Sequence, residues 1–415
     1  MNATTLRSAA FLFVAAFVPL FALTLPFPYH VLPDVGGLLR PVTEPCVAWI
    51  CSALLHLDRP YTAAIVSDST GMYVHAFLLL IISAAVGIFW SVARRGAAVP
   101  SGTKNLFRTA AGYYLALQLL EYGADKLFKH QFGVPEPNIL YASVGSLTRD
   151  ILYWSTVGSS YSYNVVAGAV EGATALLLLF RRTRLLGALC AVGVMANIVV
   201  INFTFDISVK LYSCFLLFLG LVVAWPALTR LFVLLVLNRP SGAMDPPRPA
   251  LSGRRTILHA VGKATLIVVI LFEALYPYFT AGNFNDDMAA RPALHGAWNV
   301  EMFVRNGDTV PPATDAAFRP RRFFVHRRGY FITQSMRDEM TDYKLGYRAA
   351  DSELILNAND GATIALHYTL SGNDSLITLQ GTWRSDSVTI RARRLNLDAL
   401  PLLQPTFHWT IDDYR

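Results

Sequence analysis

Two apolar runs, residues 161–180 and 184–204, are separated only by Arg181, Arg182, Thr183 and Arg184. A helix rises 1.5 Å per residue and needs about 20 apolar residues to cross a hydrocarbon layer of about 30 Å. Each run therefore has spanning length, and so short a connection makes the pair an antiparallel hairpin. Five more runs share the pattern, at 8–25, 72–93, 105–128, 208–226 and 258–279. Lipid offers no partner for a free backbone N–H or C=O, which leaves helices as the structure such runs can adopt. Composition agrees: the chain is 54% hydrophobic and 15% charged, against about 25% charged in soluble proteins.

The formal charge of +7 is explained by loop location. Residues 1–8, 94–108, 181–184 and 226–258 carry 13 Lys/Arg and one acid, Asp245. The intervening set, 26–71, 123–160 and 203–210, carries 6 Lys/Arg and 8 acids. Basic loops stay in the cytosol, so the N-terminus reads as cytosolic and the C-terminal segment as extracytoplasmic. From residue 280 onward 15 Lys/Arg face 16 acids, and no nucleic-acid partner is indicated. The lipid bilayer of a plasma (inner) membrane is the environment this sequence expects.

Residues 8–25 are either a signal peptide or a first span. Their length, and Pro26-Phe27-Pro28 in place of a small-residue cleavage site, point to an uncleaved helix. CVAWICSALLHL, in the proline-rich external loop 26–71, reads as a short interfacial helix. Ser67-Asp68-Ser69-Thr70 places capping residues before the second span. The four cysteines, Cys46, Cys51, Cys190 and Cys214, show neither disulfide geometry nor Cys/His metal spacing.

Polar residues inside the spans are the candidate site. Glu171 lies mid-span, roughly 15 Å from either end of an isolated helix, so it needs a partner, a proton or a function. Gly168 and Gly172 beside it have the spacing that lets helices approach closely. Near the outer end of the third span, Glu121 with Asp125 and Tyr122 with Lys126 are each four apart and share faces. Asn197 and Asn202 lie in the fifth span, and Asp206 and Lys210 flank its outer turn. Two readings stand for this set. In one, Tyr122, Lys126, Asn197, Asn202, Asp206 and Lys210 line an outward-opening pocket with Glu171 as a protonatable, candidate catalytic floor; in the other they are helix-packing polar contacts. Glu273 sits in the outer third of the last span.

From about residue 294 the pattern changes to short alternating segments, from WNVEMFV to FHWTI, with turn residues between them as in Arg305-Asn306-Gly307-Asp308. Nine candidate strands at this spacing predict an antiparallel barrel or sandwich. Gly296-Ala297-Trp298 resembles the Gly-x-Trp start of lipocalin-like small barrels. A small barrel is filled by its own side chains or holds one ligand such as a lipid or quinone.

The expected fold is thus a multi-span α-helical membrane protein of about seven transmembrane helices with a C-terminal all-β, antiparallel, barrel-like domain. Its expected parts are two N-terminal helices with an external loop (1–103), a four-helix bundle (104–235), a cytosolic linker (236–257), a seventh helix and connector (258–286) and an extracytoplasmic β domain (287–415).

The bundle resembles the DoxX family of small four-helix membrane proteins. NLFRTAAGYYLALQLLEYGADKLF resembles that family's opening helix, with Arg108 near its start and Gly123-x-x-Lys126 at its end. AGAVEGATALLLLFRRTRLLGAL resembles its second, around Gly168 and Glu171. Relatives include a subunit of a thiosulfate:quinone oxidoreductase, and the family is distantly grouped with the membrane part of vitamin K-dependent carboxylases. The resemblance implies a quinone-linked membrane redox component binding a small lipophilic molecule. The sequence offers no haem ligand pair, flavin fingerprint or CxxC, so a redox group would be a bound quinone or a partner's. The competing expectation is a scaffold or assembly factor that recruits an envelope protein partner through its β domain.

Overall fold

The computed structural model describes residues 3–57, 61–63, 67–95, 97–242, 252–314, 318–348, 351–404 and 409–410. They form two compact units, one of residues 1–131 and 162–285, the other of 132–161 and 286–415.

The first unit is helical: α1 (Ala3–Thr24), α2 (Val35–Trp49), α3 (Thr70–Ala93), α4 (Ser101–Leu127), and, further along the chain, α7 (Tyr161–Leu179), α8 (Arg184–Thr204), α9 (Lys210–Leu235) and α10 (Arg254–Ala281). Among the described residues, α1, α3, α7, α8, α9 and α10 are long and apolar enough to cross a membrane. α4 has the length, 27 residues, but carries Lys104, Arg108, Glu121, Asp125 and Lys126. Its position accounts for that polarity. It packs against α9 and α10, and Leu115, Ala116, Gln118 and Leu119 are at most 1% exposed, so protein rather than lipid surrounds its polar face. Phe21 of α1 and Phe215 of α9 meet at 4.6 Å between ring centroids in the core. Phe77, Phe89 and Trp90 of α3 and Phe272 of α10 project outward, as lipid-facing residues do.

Two boundaries differ from the sequence reading. The short interfacial helix proposed at 46–57 is the end of a longer one. α2 begins at Val35 after Asp34, whose carboxylate accepts the Gly37 N–H at 2.7 Å, and a π-helical turn, Ile50–Leu54, continues it. Pro41 and Pro45 lie inside α2; each removes a helix hydrogen bond, so the stretch reads as loop by composition. The sixth span continues nine residues past Pro226 to Leu235 as α9. Ser69 caps α3 as expected, accepting Met72 N–H at 3.1 Å.

The second unit contains α5 (Pro137–Leu140), α6 (Arg149–Ser159) and nine strands, β1 (Gly296–Arg305), β2 (Asp308–Thr309), β3 (Pro320–His326), β4 (Tyr330–Ser335), β5 (Met340–Arg348), β6 (Glu353–Asn357), β7 (Thr363–Ser371), β8 (Leu376–Trp383) and β9 (Asp386–Arg394). Sequence neighbours pair antiparallel from β3 to β9. β1 bonds β3 on one side and β9 on the other, so β1 and β3–β9 close an eight-stranded barrel. β2 is a two-residue extension of the β1 hairpin across Asn306-Gly307, both at positive φ, the conformation an Asn-Gly turn supplies. The last predicted strand, FHWTI, falls mostly outside the described residues.

Alternation fills the barrel. Trp298, Phe303, Phe323, Phe331, Leu354, Leu366, Leu379 and Ile390 are at most 1% exposed and form one cluster. Trp298, from the Gly-x-Trp segment, stacks on Phe323 at 6.0 Å and donates to the Leu294 carbonyl at 3.0 Å.

Outside the barrel wall, Glu136 accepts a charge-assisted bond from Arg327, whose Nη1 also reaches Asp286 at 2.6 Å. His295 and His326 border the same carboxylate at 3.3 and 3.8 Å. With Glu136 engaged by Arg327, the surplus field is positive. Burial, then Arg291 and Arg394, brings His295 down to about 4; burial, then Arg328 and His295, brings His326 down to about 4. The geometry agrees, because His326 Nδ1 accepts the Arg328 N–H at 3.0 Å and must be unprotonated to do so. An unfolded histidine takes its proton near pH 6.5. Between about 6.5 and 4 the unfolded chain therefore binds more protons, and stability falls as pH falls through that window. The thermal midpoint of this domain is expected to drop across it, and a His295→Gln/His326→Gln variant to flatten the slope. An equal slope in that variant would assign the loss to other groups.

Candidate functional site

The site is built where α4 and α7 approach most closely. A Cβ on Gly168 would stand 2.6 Å from the Gly123 carbonyl oxygen, and one on Gly123 would stand 3.0 Å from that of Gly168. Only glycine at both positions permits this spacing. A Cβ on Gly172 would meet nothing within 4 Å, but one on Gly123 would stand 3.1 Å from the Gly172 backbone N, so Gly123 packs against the Gly168–Gly172 turn of α7. α4 and α7 are antiparallel, and helical side chains lean toward their own N-termini. Lys126, three residues past Gly123, and Glu171, three residues past Gly168, thus lean toward each other across the gap. Lys126 Nζ bonds Glu171 Oε2 at 2.8 Å, with side-chain exposures of 10% and 5%. The ammonium also contacts the Tyr122 carbonyl at 3.5 Å and lies 5.7 Å from the Tyr122 ring centroid.

One turn away a second chain of polar contacts begins. Gln118, fully buried, donates to Glu121 Oε2 at 2.8 Å and accepts from the Tyr212 hydroxyl. Tyr212 in turn meets Tyr114 Oη at 3.2 Å. Tyr29, between α1 and α2, adjoins Tyr114, and burial foremost, with Tyr114 next, pushes its phenol up, so it acts as a neutral hydroxyl. Asp125, on the same face of α4 as Gln118 and Glu121, accepts from the Tyr278 hydroxyl of α10 at 2.6 Å. Phe27, Tyr122, Tyr212 and Phe215 supply an aromatic wall, with Phe27 at 5.9 Å from Tyr212 and 6.3 Å from Tyr122.

Glu121 differs from its neighbours. Glu171 has Lys126, and Glu273 accepts the backbone N–H groups of His30, Val31 and Leu32 at 2.5, 2.9 and 2.7 Å. Glu121 has the Gln118 amide, and among the described residues no cation lies within ion-pair distance of it.

The structure brings Tyr122, Lys126 and Glu171 together and separates the other candidates from them. Asn197 is exposed on the outside of α8. Asn202 is buried, but its Nδ2 has no acceptor among the described residues. Lys210 pairs with Asp206 at 2.8 Å and Asp68 at 3.7 Å. Asp68 also accepts the N–H groups of Lys210 and Leu211 at 2.7 and 2.9 Å, so this group fastens the start of α9. Sequence reasoning had no role for Gln118, Tyr114 or Tyr212, and it read Tyr278, within Tyr276-Pro277-Tyr278-Phe279, as part of an aromatic interface anchor, whereas its hydroxyl bonds Asp125 in the bundle. The available signal was the recurrence of 114, 118, 121 and 125 on one face of α4, but Tyr212 and Tyr278 come from the distant α9 and α10.

Over 112 residues the chain is 36% identical to the uncharacterized protein YwoB of Bacillus subtilis (strain 168), a match covering 27% of this chain and 71% of YwoB. The chain belongs to the YwoB family. No family model and no solved structure matches it. YwoB is described only as uncharacterized, so membership of the YwoB family brings no activity with it, and the chemistry rests on the residues above.

Proposed function

We propose that this protein is a DoxX-like, quinone-linked component of the plasma membrane, with its N-terminus in the cytosol and its β domain outside. In this reading a small lipophilic molecule with a quinone-type head group binds beside α4. The observation that carries it is Glu121, a carboxylate within a helix bundle that has an amide donor and, among the described residues, no cation within ion-pair distance, joined through Gln118 to Tyr212 and Tyr114. Keeping such a group in a bundle costs several kcal/mol, which a proton-exchanging function explains and helix packing does not. The meeting of Gly123-x-x-Lys126 with Gly168-x-x-Glu171 supports the DoxX resemblance, since those are the positions that carry it.

The roles are redistributed from the sequence reading. Glu171 with Lys126 is the rigid floor that sets the spacing of α4 and α7, and Glu121 is the group that gives or takes the proton when the head group changes oxidation state. Tyr212 and Tyr114 hold its oxygens, and the aromatic wall takes its ring. The electrons come from a partner, in keeping with a chain whose sequence has no haem, flavin or CxxC motif.

Glu121→Gln preserves shape and the bond to Gln118 but removes the titratable proton. It is expected to lower quinone-dependent turnover in reconstituted membranes by about 100-fold or more, the usual weight of a positioned acid or base, with thermal stability equal to or above the parent's. A fully active Gln variant sinks the assignment. Purified protein that carries no extractable quinone and yields stoichiometric envelope proteins instead would favour a scaffold.

A further inference from the structure

We propose that one end of the β-barrel holds a binding site for a small oxyanion, a carboxylate or phosphate, organised by Arg319. A cavity of about 280 Å³ lies there, lined by Phe318, Arg319, Thr333, Ser335, Met336 and Thr341 among others. Strand alternation makes it part of the interior. Phe331 of β4 and Tyr343 of β5 belong to the barrel core, so Thr333, Ser335 and Thr341, at even steps along the same strands, share their inward face. Phe318 on the cavity wall packs tilted on Trp383 at 4.9 Å, and Trp383 meets Tyr343 edge-on at 5.4 Å within the barrel core. The site is a chamber of polar side chains bordered by one aromatic ring, close to the lower end of the size range of small-molecule sites, about 300 Å³.

Arg319 is 6% exposed. Its Nε donates to the Val310 carbonyl at 3.0 Å and its Nη1 contacts Met336 Sδ at 3.5 Å. A guanidinium has five N–H groups in a fixed fork, so three remain without a protein acceptor among the described residues, and none of those residues places a carboxylate within ion-pair distance. A buried charge without a counter-charge is costly, whereas the fork matches a carboxylate or phosphate held by two oxygens. The Ser335 hydroxyl completes the set, while that of Thr333 donates to the Thr341 carbonyl at 3.4 Å. Ser335 Oγ already accepts the N–H groups of Arg337 and Glu339 at 3.1 and 3.2 Å, which leaves its own hydrogen to donate. Arg337 and Glu339, of opposite charge, are both exposed among the lining residues and screened by water, so the buried Arg319 sets the charge of the chamber.

The test is calorimetric titration of the full-length protein with butyrate and with butyl phosphate, and, separately, of protein in phosphatidylcholine nanodiscs with and without phosphatidic acid. Binding of either soluble anion is expected, weakened about tenfold or more in Arg319→Met, the equivalent of one charge-assisted bond, and less in Thr341→Val. Binding that appears only with phosphatidic acid and is lost in Arg319→Met assigns the oxyanion to a lipid headgroup and also upholds the site. Should Arg319→Met not fold, Arg319→Lys, which keeps the charge but not the fork, and Thr341→Val decide by the same weakening. Failure of the parent protein to bind any of these probes, or affinities unchanged in all folded variants, overturns the proposal.

Discussion

Replacing Lys126 by Met, or Glu171 by Gln, is expected to destabilise the helical unit by about 3–5 kcal/mol, the cost of leaving one buried charge without the other. The double variant Lys126→Met/Glu171→Gln is expected to lose far less than the sum, since both charge-desolvation penalties disappear together. Unfolding in mixed micelles, followed by intrinsic fluorescence and assembled as a double-mutant cycle, measures the coupling. Additive losses would mean that the two groups are solvated separately and that the 2.8 Å contact is not what holds them. The same cycle separates structure from chemistry. If Lys126 and Glu171 are the floor, the double variant keeps substantial activity while Glu121→Gln does not.

Glu273→Ala carries the second large effect. Its carboxylate is the acceptor for three consecutive backbone N–H groups, those of His30, Val31 and Leu32, and it is fully buried. Each orphaned donor costs about 1–3 kcal/mol, so a total loss of several kcal/mol is expected, with the segment between α1 and α2 released from α10. Hydrogen exchange read by mass spectrometry should show the largest gain at residues 26–34. Glu273→Gln, which keeps one acceptor oxygen without the charge, should fall between parent and Ala. Exchange at 26–34 equal to the parent in Glu273→Ala would refute the anchoring role.

The fold was largely legible because two strong constraints write themselves into local sequence. Backbone groups in lipid must pair within their own helix, which demands long apolar runs, and α8 was found at its observed limits, Arg184–Thr204. Strands of a small barrel demand alternation and turn residues, and Asn306-Gly307 was found on that ground. α2 was misread because Pro41 and Pro45 speak for loop when taken singly, although the flanking turns hold the helix through them. The site was legible only in part. Gly123, Lys126, Gly168 and Glu171 each stood out, but which helix faces which is a tertiary fact, and Lys126 and Glu171 are 45 residues apart. Asn197 and Asn202 look equivalent in composition, yet one points out of the bundle and the other in. Periodicity assigns residues to a face without saying what covers that face.

The junction of β1 with β9 has a consequence for how the domain tolerates damage. Residues 298–305 of the first strand pair with 388–394 of the last, so the ring is sealed by segments nearly a domain length apart. A cut, slip or missed pairing at this seam frees β1 and β9 at once, as two unpaired edges with exposed backbone donors and acceptors. Free edges are where sheets recruit other chains. An intact barrel offers no such template along its eight strands, while one opened at the seam offers two, and aggregation of this domain is governed by that single joint more than by any of its internal hairpins.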